Sequence, residues 1–192
     1  PLIAGNWKMY GRQANLAEIT ALWQRVERAS GAVEALICPP AAYIGQAVAT
    51  ARNTGVAIGG QDCSIAAADA ARTGEISAAM LADVGARYVI VGHSERRQNH
   101  AETDAAVRKK AEAALAAGIT PIICVGETQA ERAAGRVAEV VGSQVAGSVP
   151  EGNSAIVVAY EPVWAIGGTS TPTIAEITEV HAVVRRTLAD RF

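Results

Sequence analysis

Ala159-Tyr160-Glu161-Pro162-Val163-Trp164-Ala165-Ile166-Gly167 is the stretch on which the fold turns. Ahead of it, Ala155-Ile156-Val157-Val158 is apolar and β-branched, the composition of a parallel strand covered on both faces. Glu161 puts a carboxylate where that strand stops, and Pro162 forbids ladder pairing or a helix directly after it. Apolar residues with Trp164 between them follow, then the loop Gly167-Gly168-Thr169-Ser170-Thr171-Pro172-Thr173. A carboxylate between a buried strand and a partly apolar flap suits a general base, which needs low dielectric and excluded water. Position alone leaves a second reading open, a strand-end Glu that caps the next helix or pairs with an Arg.

Outward from this stretch the chain alternates strand and helix. Strands are expected at residues 2–5, 35–38, 56–59, 88–91 and 119–125, with the sixth at 155–158. Helices are expected at 15–29, 41–52, 77–84, 104–117, 129–149 and 174–191, and a long Ala-rich loop at 61–73. Leu16, Ile19, Leu22, Trp23 and Val26 form the apolar stripe of the first helix, and Gly118 stops the fourth. Strand then helix, six times at a spacing of mostly about 30 residues, means βαβ units and a parallel sheet, hence the α/β class. The polar residues of interest follow strands one, four and six, the edge at which ligands bind in both barrels and doubly wound sheets.

The 192 residues are half apolar and carry a formal net charge of −2, with acids and bases evenly spread. No basic run or basic-aromatic interleaving points to nucleic acid. No apolar stretch approaches the ~18 residues of a membrane span, and no signal peptide opens the chain, so a cytoplasmic protein is expected. Cys38, Cys63 and Cys124 are odd in number and far apart; Cys38 and Cys124 lie in apolar strands, which favours reduced, buried thiols.

Gly92-His93-Ser94-Glu95-Arg96-Arg97 is the second informative stretch. With Ser94 as the expected N-cap, His93 would face the positive end of a helix, whose field disfavours imidazolium and leaves a neutral hydrogen-bond donor. The competing reading is a structural His beside a surface Glu95–Arg96 pair. Asn6 and Lys8, two apart after the first strand, give one donor and one fixed positive charge for an anion; an exposed, solvated Lys is the alternative. Glu127 ends the fifth strand, but Thr128 and a helix follow, so a first-turn acid is expected there. His181 reads as part of an ordinary helix face and His100 as exposed. No Gly-x-Gly-x-x-Gly, P-loop, Gly-x-Ser-x-Gly or His-x-x-x-His occurs, which removes the main support for dinucleotide, nucleotide, α/β-hydrolase and zinc-peptidase chemistry.

Together with Gly5-Asn6-Trp7-Lys8-Met9, Ile37-Cys38-Pro39-Pro40, Thr73-Gly74-Glu75 and Cys124-Val125-Gly126-Glu127, these stretches resemble the triosephosphate isomerase family, in its order and approximate spacing across the whole chain. The general scheme of that family, a Glu base with a neutral His electrophile, is well known. The resemblance implies that Glu161 shuttles a proton between two carbons of a triose phosphate. His93 would polarise the carbonyl, while Lys8 and Asn6 hold the developing charge. Ser94, Glu95 and the backbone of Gly167 would lie on the substrate side, and Thr73 would reach a partner subunit's site as the 61–73 loop plugs into it. It further implies a place in glycolysis and gluconeogenesis, a homodimer or higher homo-oligomer, and no cofactor or metal.

The family fold is an eight-stranded (β/α) barrel of about 250 residues. This chain supplies six βα units, so the expectation is a single domain over residues 1–192, an incomplete TIM barrel lacking the last two units and their phosphate cradle. The flap also departs from the more usual Gly-Thr-Gly-Lys-Thr. Impaired isomerase activity is expected. The alternative is a catalytically inactive, self-associating barrel that at most binds small anions.

Overall fold

The computed structural model describes residues 1–29, 33–152, 155–168 and 170–191; Thr169 of the flap lies outside them. Six strands run through the chain: β1 (Leu2–Asn6), β2 (Glu34–Cys38), β3 (Val56–Gly60), β4 (Tyr88–Val91), β5 (Thr120–Val125) and β6 (Val157–Tyr160). The α-helices are α1 (Ala17–Val26), α2 (Ile44–Ala51), α3 (Ala78–Asp83), α4 (Ser94–His100), α5 (Asp104–Ala116), α6 (Gln129–Ala133), α7 (Val137–Ser148) and α8 (Ile174–Ala189). Sheet order follows chain order from β1 to β6. The chain groups into two compact units, Pro1–Ile90 with Ala113–Pro121, and Val91–Glu112 with the residues from Ile122 onward.

In the first unit β1 pairs β2 in parallel from Leu2↔Glu34 to Asn6↔Cys38, and β2 pairs β3 through Leu36↔Ala57. Gly59↔Tyr88 continues the ladder to β4. Arg87 N–H donates to Ile58 O, and Thr120 N–H donates to Arg87 O, which starts β5 alongside. The core of this unit is aliphatic: Ile19, Leu36, Ala47 and Val89 are fully buried. The expected first helix is a ten-residue α1 flanked by short 3-10 turns, Gln13–Leu16 and Glu27–Ala29.

In the second unit β5 pairs β6 in parallel, with Cys124↔Ala159 and Val125↔Tyr160. The sixth strand thus starts two residues later than its apolar run suggested, because register against β5 sets its bounds. The expected 129–149 helix is two helices. Gly135, at φ +70°, adopts the left-handed conformation that ends α6, and α7 begins at Val137. Val141 and Val145 of α7 are fully buried. All three cysteines are buried and in no disulfide, and among the described residues no helix is long and apolar enough to cross a membrane.

Arg97 of α4 knits this unit together. Its guanidinium donates to Gly92 O at 2.8 Å, Cys124 O at 3.2 Å, Ser148 Oγ at 3.1 Å and Asp104 Oδ1 at 2.6 Å. Arg96 pairs with Glu102 at 2.6 Å, and Lys110 Nζ reaches the same carboxylate at 2.5 Å. Burial alone pushes the Glu102 carboxyl up, but the hydrogen bond and charge of Lys110, then of Arg96, outweigh it and hold it below its ordinary value.

Leu36→Ala is expected to lower unfolding free energy by about 2–5 kcal/mol, read by urea titration, because the cavity cannot collapse among fully buried neighbours. A loss under about 1 kcal/mol would show a core that repacks. A carboxyl whose folded pKa is depressed adds stability above its unfolded pKa and loses it as pH falls through the folded one. The urea midpoint should therefore fall as pH drops below about 4.3, with a shallower fall in Glu102→Gln. An unchanged slope in that variant contradicts the assignment.

Candidate active site

β4 ends at Val91, and Gly92, at φ +68°, turns the chain so that His93 opens α4. The expected N-cap was Ser94; the cap is His93, whose extended backbone (φ −53°, ψ 141°) lets Nδ1 accept from Glu95 N–H at 3.2 Å. Ser94 is the first helical residue. An Nδ1 that accepts a hydrogen bond carries no proton, so the proton sits on Nε2. That nitrogen lies 2.8 Å from Glu161 Oε1. Ser94 N–H donates to the other carboxylate oxygen, Oε2, at 3.0 Å. The carboxylate thus spans the imidazole and the N-terminus of α4, where partial positive charge favours an anion. The His93 and Glu161 side chains are 9% and 17% exposed. Glu95 stays half-exposed, with its carboxylate 3.7 Å from His93 Nδ1.

The backbone of Glu161 rests on the end of β5. Its N–H donates to Val125 O at 2.7 Å, and Val163 N–H donates to Glu127 O at 3.2 Å. Between those bonds lies Gly126, where a Cβ would stand 1.7 Å from Glu161 O, so only glycine fits. Both main-chain groups of Gly126 are bound by Gln144 of α7: Gly126 N–H donates to Oε1 at 2.7 Å, and Nε2–H donates to Gly126 O at 3.1 Å. A cavity of about 120 Å³ opens here, lined among others by Ser94, Arg97, Gln144 and Glu161.

Glu127 departs from its expected role. The first-turn acid of α6 is Glu131, in a capping box with Thr128. Glu127 is fully buried, and its Oε1 accepts from Trp164 Nε1–H at 2.8 Å, Tyr160 O–H at 3.0 Å and Arg132 at 3.1 Å. Arg132 also lies 4.7 Å over the Trp164 ring and pairs with Glu176 of α8. The start of the flap is thereby anchored to a buried charge. Burial first, then the charge and hydrogen bond of Glu127, push the Tyr160 phenol far above its ordinary value. The Val125↔Tyr160 register, a signal that only the structure supplies, brings Val-Gly-Glu beside Tyr-Glu-Pro-Val-Trp. Gln144 carries no signal in sequence either, being one amide in a helix.

Asn6 and Lys8 belong to the first unit, at the C-terminal end of β1. Lys8 takes the left-handed conformation, φ 52°, with its N–H donating to Asn6 Oδ1 at 2.8 Å and its carbonyl accepting from Gln61 at 2.9 Å. A non-glycine residue in that conformation is costly, and such costs concentrate at functional sites. Thr73 is exposed in a turn of the 61–73 loop. Gly167 is exposed in the second unit, at φ +69° with open space around it. His100 is exposed, and His181 meets Tyr160 edge-on at 6.3 Å between ring centroids. Among the described residues no group of three or more His, Cys, Asp or Glu could hold a metal ion.

The chain is similar throughout its length to known proteins of one family. A family model described as triosephosphate isomerase matches residues 1–192. The triosephosphate isomerase of Afipia carboxidovorans is 60% identical over 194 residues, covering 100% of this chain and 77% of its own. That of Hyphomonas neptunium is 53% identical over 193 residues with the same coverage. A crystal structure of triosephosphate isomerase from Bartonella henselae superposes with a TM-score of 0.89 at 42% identity, over 100% of this chain and 77% of that one.

Tyr160→Phe removes one donor from a buried carboxylate and should cost about 1.5–3 kcal/mol in urea unfolding. It should also delete the phenolate absorbance step that titrates at the highest pH; persistence of that step would place the raised phenol elsewhere.

Proposed function

The chain belongs to the triosephosphate isomerase family, is an isomerase, and contains six of the βα units of the (β/α) barrel; from that premise we propose how its residues divide the reaction. The reaction interconverts dihydroxyacetone phosphate and glyceraldehyde 3-phosphate. Glu161 is the base and His93 the electrophile. The observation that carries this is the 2.8 Å contact between His93 Nε2 and the Glu161 carboxylate. A carbonyl oxygen that displaces the carboxylate from Nε2–H takes over that hydrogen bond, and the freed carboxylate lies against the carbon next to it. Glu161 removes a proton from that carbon, the C–H electron pair moves into a new C=C bond, and the carbonyl oxygen becomes an enediolate oxygen held by Nε2–H. The hydroxyl proton on the carbon that lost its hydrogen passes to the enediolate oxygen, the oxygen it leaves becomes the new carbonyl, and the C=C electron pair takes the proton back from the same carboxyl at the former carbonyl carbon, so no atom is gained or lost.

Lys8 and Asn6 stabilise the developing negative charge, a role supported by family membership and by the constrained backbone at Lys8. Ser94 and Glu95, at the start of α4, and the Gly167 backbone serve substrate binding, with Gly167 in a flap that excludes water as it closes. The 192 residues act as one catalytic domain in a cytoplasmic homo-oligomer. The 61–73 loop and Thr73 contact the partner, a reading supported by exposed apolar Met9 and Tyr10, at 93% and 77%.

In a coupled assay Glu161→Gln should lower kcat by orders of magnitude with the fold intact; an unchanged rate would mean that a contaminating enzyme produced it, and would end the assignment. Assayed alone, these 192 residues should bind substrate at least about 10²-fold more weakly than an eight-unit relative, for want of two or three phosphate hydrogen bonds at about 1.5–3 kcal/mol each. Equal KM values would contradict that.

A further inference from the structure

We infer that Gln144, on α7, is a positioning residue for the base: by holding Gly126 at both its N–H and its C=O, it fixes the surface on which the Glu161 main chain sits. The inference rests on Glu161 being the base. β5 ends at Val125, and the two hydrogen bonds that carry the incoming chain, Glu161 N–H to Val125 O and Val163 N–H to Glu127 O, use the residues on either side of Gly126. The N–H and C=O of Gly126 itself are left over from that ladder. In a half-buried segment such groups need partners, and the Gln144 carboxamide supplies one donor and one acceptor, at 3.1 Å and 2.7 Å.

Rotation of the Gly126 peptides is thereby blocked in the place where it matters most. Glu161 O packs so close to Gly126 that a Cβ there would stand 1.7 Å from it. Any tilt of Gly126 therefore moves Glu161 directly, with no side chain between to absorb the motion. Glu161 in turn bonds His93 and the N-terminus of α4 through opposite carboxylate oxygens, at 2.8 Å and 3.0 Å, a geometry that tolerates little displacement. Gln144 also lines the cavity beside Glu161, so no packed side chain substitutes for its amide if that is removed. Gln suits the task because the carboxamide offers both polarities. Glu at this position would satisfy Gly126 N–H but repel Gly126 O, and Met would fill similar volume while binding neither.

The test compares Gln144→Met, Gln144→Glu and Glu161→Gln in the full chain, with kinetics across pH and amide hydrogen exchange. In Gln144→Met, kcat should fall about 10- to 100-fold with KM changed less than about twofold, and the apparent pKa in the kcat profile should move. Exchange protection should drop at the Glu161 and Val163 amides and stay unchanged at Val107 in α5. Gln144→Glu, which keeps one of the two bonds, should fall between Met and wild type on each readout and covers the case in which Met fails to fold. Unchanged kcat, or loss of protection spread evenly through the chain, overturns the inference while Glu161→Gln still abolishes turnover. If Glu161→Gln leaves turnover intact, it is the identity of the base that fails, and the inference falls with it.

Discussion

A backbone carbonyl occupies the place where a side chain would begin: Glu161 O lies against Gly126, too close for any Cβ. The rest of the second unit follows from this approach. It lets β6 run on beside β5 past its last residue, so that Glu161 leaves the ladder already bonded to Val125 O. Pro162 then ends the ladder, and a 3-10 turn at Val163–Ala165 lifts the chain into the flap. The Glu161 carboxylate thus stands on two regular strands, and its backbone inherits their rigidity.

Charge is arranged around that point in layers. The carboxylate of Glu161 is met by an imidazole N–H and a helix-terminal N–H. One residue beyond Gly126 a second carboxylate, Glu127, is fully buried and gathers three donors, from Tyr160, Trp164 and Arg132. A buried carboxylate is tolerated only when so compensated, and breaking one partner costs more than the pair contributes. Glu127 therefore anchors the flap's first turn, while the Glu161 side chain stays partly exposed. Arg97 ties the ends of β4, β5 and α7 behind both.

Much of this was legible in sequence. The six strands could be read because apolar runs, glycine and proline act locally, whereas a shared site for Gly92-His93 and Tyr160-Glu161-Pro162 was implied only by the family resemblance. The buried, reduced state of Cys38 and Cys124 could be read as well. What could not be read depends on partners distant in sequence. The start of β6 is set by register against β5, and the role of Glu127 by Tyr160 and Trp164, more than thirty residues on. His93 displaced Ser94 as the cap because an imidazole nitrogen can serve as a cap acceptor, which the usual Ser preference conceals. The break between α6 and α7 was visible in Gly135 but outweighed by the helical composition on both sides. Gln144 acquires its meaning only from the glycine it grips.

The most direct measurement follows solvent hydrogen into carbon. With dihydroxyacetone phosphate in D2O, a carboxyl that has taken a proton from carbon exchanges it before returning it, so proton NMR should show carbon-bound deuterium accumulating in proportion to the protein added. Triose phosphate recovered with no more carbon-bound deuterium than a protein-free control, from a chain shown to be folded, would contradict proton transfer between Glu161 and the substrate.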